Sequence, residues 1–248
     1  MIRFENRVPS KFRNIKADAL NAPLVRLLSD YAAYGEYGLA DLWVQSCGRT
    51  LTALICRADR DSMTVAVSDE NADTNEIADF VRAVGARFVL CNVTLPLENG
   101  KKLTELFRRN SSKDNTQLIP QSIDFRNVYR IQSQCFKMPD FDSFYADMSH
   151  RIRHDCAAAA VGQDSTACAK IYADSALIFA VCTDPQCRNQ GKGAKILNNI
   201  MSTVRSKNIF VLTDNKKAER FYVNNGFVVR SDAYEYIIGE NDSEEKNK

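Results

Sequence analysis

The chain has 248 residues, a formal net charge of +2 and 45% hydrophobic residues. That is enough for one large domain or two small ones with a packed core, and so balanced a charge gives no sign of the basic face typical of nucleic-acid proteins. Eight cysteines with no CxxC pair and only two histidines exclude a metal site by spacing and read as reduced thiols. With no apolar leader, and no apolar run near the roughly 20 residues that cross a bilayer, a cytoplasmic protein without nucleic-acid or membrane partners is expected.

In chain order, Ala19 to Gly35 has helical spacing, with Leu20, Leu24, Leu27 and Leu28 on one stripe. Three extended runs follow, ADLWVQ, TLTALICRA and SMTVAVS, joined by the short polar connections SCGR and DRD. TNEIADFVRAVG reads as a helix with Thr74 as N-cap and Gly85 as its stop, and ARFVLCNV as a buried strand. Residues 111–124 are polar, without periodicity, and serve as the expected linker between units at 1–110 and 125–239. Asn127 to Gln132 reads as a strand. DFDSFYADMSHRIRHD reads as a helix, followed by three strands in CAAAAVGQ, TACAKIYAD and SALIFAVCTD. A helix in GKGAKILNNIMSTVRSK, a strand in NIFVLTD, a helix in NKKAERFYVNNG and closing strands in FVVR and YEYIIG complete the unit. The charged tail 240–248 is expected to be disordered. Both halves thus place three strands, a helix and a strand in the same order. This suggests a duplicated architecture without a residue-level repeat.

The most informative stretch is RNQGKGAKIL, Arg188 to Leu197, which follows an apolar strand ending at Pro185. A strand, a glycine-containing loop and a helix start make an anion site. Glycine lets the backbone bend, the first-turn N–H groups lack intrahelical partners, and the helix dipole is positive there. Arg188 and Lys192 add charge, and a phosphate or pyrophosphate is the natural guest. A P-loop and a dinucleotide fingerprint both fail on spacing, the second because Ile196 stands where the last glycine belongs.

The pattern Arg-x-x-Gly-x-Gly after a strand and a proline resembles the acetyl-CoA motif of the GNAT superfamily of N-acetyltransferases. NKKAERFYVNNGF resembles that family's second signature through Asn215, Ala218, Phe221, Tyr222, Gly226 and Phe227. The likeness covers residues 125–239, about half the chain. It implies an α/β (α+β) fold with a mixed, mostly antiparallel sheet flanked by helices, preceded by a GNAT-like or accessory α/β unit. It implies that the backbone of Asn189, Gln190, Gly191, Lys192, Gly193 and Ala194 cradles the pyrophosphate of acetyl-CoA. The strand near Val181 and Thr183 then pairs with the pantetheine amides and splays from NIFVLTD, and Asn215 bonds the pantetheine arm. Tyr222 resembles the general acid that protonates the departing CoA thiolate, and equally fits a core aromatic that touches CoA without donating. The implied reaction is direct attack of a primary amine, on a small molecule or a peptide, on the thioester. Members of the family often form homodimers.

The family's frequent carboxylate base on the strand before the motif is missing from ALIFAVC. The segment DMSHRIRHD offers Asp147, His150 and His154, and is loosely similar to a stretch in some two-domain bacterial members. As an acceptor or base cluster it would border the acceptor cleft; as an i, i+4 pair the histidines are better read as solvated or structural. Cys182 and Cys187 flank the motif with no base tied to them, and read as packing. The tyrosines at 31, 34 and 37 read as packing between elements. The first half has no glycine motif. Its acidic ENADTNEIADFV stands in that place, so it is expected to have lost cofactor binding and to shape the acceptor pocket or act as scaffold. A CoA-binding regulator with little catalysis is the competing reading.

Overall fold

The structure, a computed structural model, describes residues 1–13, 15, 19–110 and 123–239. Residues 111–122 of the expected 111–124 linker and the tail at 240–248 lie outside the described residues. The first half runs β1 (Ile2–Glu5), α1 (Ser10–Arg13), α2 (Ala22–Tyr34), β2 (Asp41–Cys47), β3 (Thr50–Arg57), β4 (Ser62–Val67), α3 (Thr74–Val84), β5 (Phe88–Cys91) and β6 (Gly100–Arg109). The second runs α4 (Phe125–Gln132), α5 (Phe141–Arg153), β7 (Ala157–Val161), β8 (Ser165–Tyr172), β9 (Ser175–Thr183), α6 (Lys192–Val204), β10 (Asn208–Thr213), α7 (Lys216–Asn224) and β11 (Val228–Ile237).

Three local expectations are corrected. Residues 127–132 are helix, not strand: Asp124 caps Asn127 N–H, and Val128, Ile131 and Gln132 are buried at helical spacing. The cap of α3 is Asp73, whose carboxylate accepts from Asn75 and Glu76, so Thr74 is the first helical residue. The two closing strands are one, β11, joined through a bulge at Arg230. Strands β1 and β6 have no counterpart among the expected elements. In β6 the apolar residues Leu103, Leu106 and Phe107 fall at helical spacing, which hides the strand.

All eleven strands form one sheet in the order β1-β2-β3-β4-β5-β11-β6-β10-β9-β8-β7. Only β4 with β5 and β9 with β10 pair in parallel; the other neighbours are antiparallel. Read inward from β2, with β1 added outside it, and from β7 at the other rim, the order is a three-stranded meander and then a parallel strand. Next to it lies the last strand of the other half: β11 lies beside β5, and β6 beside β10. The duplicated plan is therefore visible as a pseudo-two-fold axis between β6 and β11, with a reciprocal exchange of last strands. The expected units 1–110 and 125–239 share one sheet rather than holding one each.

Alternating side chains supply both faces. Ala167, Ala169, Ala176 and Ile178 pack under α6 and α7, and Ala53, Ile55 and Val65 under α3. Leu54, Cys56, Leu177 and Phe210 pack under α2, while Ala157, Ala159 and Cys168 pack under α4 and α5. Among the described residues no helix is long and apolar enough to cross a membrane.

Candidate active site

The parallel register of β9 and β10 runs from Ser175 opposite Asn208 to Ile178 opposite Val211 and stops. The cause lies on the other edge of β9. Cys168 faces Phe179 and Thr166 faces Cys182, so Ala180 and Val181 together oppose Ala167. Ala180 takes a φ of 51°, in the left-handed region. This bulge bends β9 away from β10. From Phe179 to Thr183 the strand is paired to β8 alone, and Val181 and Thr183 present backbone along a V-shaped opening.

A 3₁₀ turn at Pro185–Cys187 leads from β9 to α6, held by the Asp184 carboxylate accepting from Gln186 N–H at 3.1 Å. Asn189 and Gly191 then take φ values of 62° and 73°. Gly191 is the N-cap of α6 and no side chain caps this helix. The other helices of eight or more residues are each capped by a side chain: Asn21, Asp73, Asp124, Asp140 or Asn215. The N–H groups of Lys192, Gly193 and Ala194 thus open α6 without intrahelical acceptors, where the dipole favours an anion. Around Gly191 there is open space, so its positive φ, not crowding, calls for glycine. A Cβ on Gly193 would meet Phe221 of α7 at 3.5 Å and Thr183 Oγ1 at 3.7 Å, so the helix start sits close to both.

The two expected charges are partly committed. Lys192 Nζ lies 2.6 Å from Asp164 Oδ2 on the β7–β8 turn, so it does not offer a free charge. Arg188 Nε donates to Thr183 O at 3.3 Å. Asn215 caps α7 through its Oδ1, which accepts from Lys217 at 2.8 Å and Ala218 at 3.4 Å, leaving its amide nitrogen as the outward donor. Tyr222 is 8% exposed and wedged edge-on between Phe221 and Phe227. Burial, with the Cys182 thiol nearby, pushes its phenol up to about 12. The phenol keeps its proton across the neutral range.

Residues 152–229 match the family model of the acetyltransferase (GNAT) domain. The sequence likeness to the GNAT acetyltransferase family is confined to this stretch of the second half. The whole chain has the fold of a GCN5-related N-acetyltransferase from Sphaerobacter thermophilus, at 13% identity, covering 95% of both chains with a TM-score of 0.55. An acetyltransferase of the GNAT family from Colwellia psychrerythraea matches at 11% identity, over 96% of this chain and 99% of that one, with a TM-score of 0.51. A tandem GNAT protein from the clavulanic acid biosynthesis pathway, in a form without AcCoA, matches at 10% identity over 98% of this chain and 100% of that one, with a TM-score of 0.50. These likenesses establish a GNAT fold across both halves. None of the curated proteins compared matches the sequence.

The GNAT motifs come together at the V: the α6 start, the end of β9 and α7 converge there. The cluster Asp147, His150 and His154 does not join them. The register sets the start of β7 level with Leu177, whereas the V opens at the other end of β9, from Phe179 to Thr183. His150 stacks on Tyr34 at 4.7 Å with its Nε2 2.7 Å from Ala33 O, and His154 Nε2 is 3.3 Å from the Tyr37 hydroxyl. Asp147 accepts from Tyr34 Oη at 2.5 Å and Arg151 Nε at 2.7 Å. Arg151 in turn donates to the buried Asp30 of α2 at 2.6 Å, and Lys170 also binds Asp30. The three residues anchor α5 to α2. The structural reading of the two histidines agrees with these contacts, and the alternative base role for the cluster would need side chains that are engaged between the halves.

In the matching place of the first half, side chains of the chain itself take the backbone groups. The β4–β5 register stops at Val65 opposite Cys91. Beyond it, Asn92 spans the gap, donating to Val67 O at 2.8 Å and accepting from Val67 N–H at 2.8 Å. Asp73 caps α3 where α6 has only Gly191. Neither Asn92 nor Asp164 stands out in sequence, because their partners are 25 and 28 residues away.

Proposed function

We propose that the chain is an acetyl-CoA-dependent N-acetyltransferase of the cytoplasm, with its donor site in the C-terminal half. One observation carries the reading: α6 alone among the longer described helices starts without a side-chain cap, and it starts beside the unpaired edge of β9. That pair of features fits a ligand with a pyrophosphate and an amide-bearing arm, as CoA has. The N–H groups of residues 189–194 would hold the pyrophosphate, Val181 and Thr183 the pantetheine amides, and the Asn215 amide nitrogen the same arm. Acetyl-CoA supplies the activated acetyl group. Tyr222, protonated and buried beside the V, would give its proton to the leaving thiolate. The acceptor is a primary amine of a small molecule or peptide that attacks the thioester directly.

A regulator that binds CoA without turnover is the second reading, favoured by the missing carboxylate on β9, whose residues are SALIFAVCT. Calorimetric titration with acetyl-CoA, followed by an amine screen for thiol release, separates them. Saturable binding that weakens by roughly 100-fold in Gly191→Glu, about 2.7 kcal/mol, supports the site. Equal weakening in Gly191→Ala would assign the loss to backbone strain rather than charge. No binding by the wild-type protein would sink both readings, and binding without thiol release from any amine would leave the regulator.

A further inference from the structure

Lys192 stands where a helix least tolerates a cation. It is the first residue of α6, whose first turn holds no acidic side chain, so its charge meets the positive end of the helix dipole. Asp164 compensates, with its Oδ2 2.6 Å from Lys192 Nζ. The carboxylate is the fixed partner of the two. Asp164 lies on the turn between β7 and β8, and its carbonyl accepts from Asp184 N–H at 2.8 Å. Two residues of α4 hold the same turn: Asn127 Nδ2 donates to Gly162 O at 3.1 Å, and Arg130 Nη2 to Gln163 O at 3.2 Å. Lys192 carries its charge on a flexible four-carbon stem and is a third exposed, so the ammonium is the group that can move. In the first half Asp73 sits directly on the N–H groups of α3; here Asp164 takes the lysine side chain and leaves the N–H groups of α6 open.

We propose that Asp164 is a positioning residue of the donor site: it holds the Lys192 ammonium in the free protein, and the pyrophosphate of the donor takes that ammonium over on binding. The inference rests on the donor-site reading above. Lys192 directly follows Gly191, within the segment assigned to the pyrophosphate, so its ammonium has a short way to travel. Binding then exchanges one ion pair for another and leaves the Asp164 carboxylate beside an anionic ligand. Asp164 therefore keeps donor affinity below what the loop could reach. It also speeds departure of the product, because it offers Lys192 a partner as CoA leaves.

The test titrates acetyl-CoA into the full chain and into Asp164→Asn, Lys192→Met and the double variant, at low and high salt. Asp164→Asn should bind about fivefold tighter at low salt and release more slowly, a size in keeping with a partly exposed ion pair. The gain should shrink as salt screens the charges, and fall below about twofold in the Lys192→Met background, where only the repulsion of a bare carboxylate is removed. It should persist with dephospho-CoA, which keeps the pyrophosphate and lacks the 3′-phosphate. A merely structural Asp164 predicts the opposite sign, because a loosened turn would weaken binding at every salt concentration. Unchanged or weaker binding by Asp164→Asn, an equal gain in the Lys192→Met background, or a gain lost with dephospho-CoA would overturn the proposal. Wild-type protein that binds no acetyl-CoA would defeat the donor-site reading itself. Wild-type binding without a gain in Asp164→Asn would defeat only the role of Asp164.

Discussion

The β4–β5 cleft and the β9–β10 cleft share one strand plan, and three local differences separate them. At the strand edge, β9 is bent by a bulge at Ala180, whereas β4 pairs with β3 without a shift and Asn92 fills the gap beside Val67. At the helix start, α3 carries its own carboxylate in Asp73 and α6 carries none. After the parallel strand, the second half has α7 with Tyr222, while residues 92–99 of the first half contain no helix. The same fold thus binds its own side chains in one half and leaves equivalent backbone groups for a ligand in the other. Backbone donors and acceptors must be satisfied from some source. Where the chain does not satisfy them, a ligand is the natural partner.

On the proposed donor-site reading, the first half contributes structure to the β9–β10 cleft. Its β6 lies beside β10, and its α2 holds Asp30 against Arg151 and Lys170. The largest expected effect tests this division of labour. Asp30→Asn leaves the buried Arg151 and the half-buried Lys170 short of their carboxylate, which should cost about 3–5 kcal/mol in urea denaturation. Acetyl-CoA affinity should stay unchanged in the folded variant. Burial works against the Asp30 charge, but Lys170 and Arg151 outweigh it and hold the carboxyl down at about 2, against an ordinary 3.8. Its contribution is therefore present above pH 3.8 and lost as pH falls toward 2. Asp30→Asn should remove that part of the acid dependence. A variant as stable as wild type would mean that the network does not join the halves.

Next in size is Tyr222→Phe, which has no counterpart to test in the first half. If the phenol donates to the leaving thiolate, kcat should fall by about 100-fold, with acetyl-CoA affinity nearly unchanged. The phenol acts in its protonated form, so its contribution holds as pH rises and is lost only near 12. A descending limb of the rate profile near pH 9 would belong to another group. An unchanged kcat would reduce Tyr222 to a core aromatic.

How much of this was legible in the sequence depended on range. Asn215 and Tyr222 were legible only through the resemblance of NKKAERFYVNNGF to a family signature, while Gly191 and Gly193 fall within one short stretch whose spacing encodes a turn and a helix start, which local rules can read. The duplicated strand order was legible for the same reason. The exchange of β6 and β11 was not: β6 owes its state to two neighbours far away in the chain, and its local pattern is helical. For His150 and His154 two readings stood side by side, because i, i+4 spacing shows a shared helix face but not what covers it. Tyr34 and Tyr37, more than a hundred residues earlier, cover it here.

The smallest expected effect bears most directly on the comparison. Asn92→Ala removes the side chain that satisfies both backbone groups of Val67. Val67 is half-buried, so water can replace part of the loss, and the cost should be about 1 kcal/mol. If a free strand edge were enough to make a donor site, the variant would bind a second acetyl-CoA. It should not: the Asp73 carboxylate still sits on the N–H groups of Asn75 and Glu76, where a pyrophosphate would have to bind, and repels it. Calorimetric stoichiometry should remain at one per chain. Two sites in Asn92→Ala would mean that the first cleft is merely closed. One site in Asn92→Ala and two in the double variant Asn92→Ala, Asp73→Gly would assign the block to Asp73.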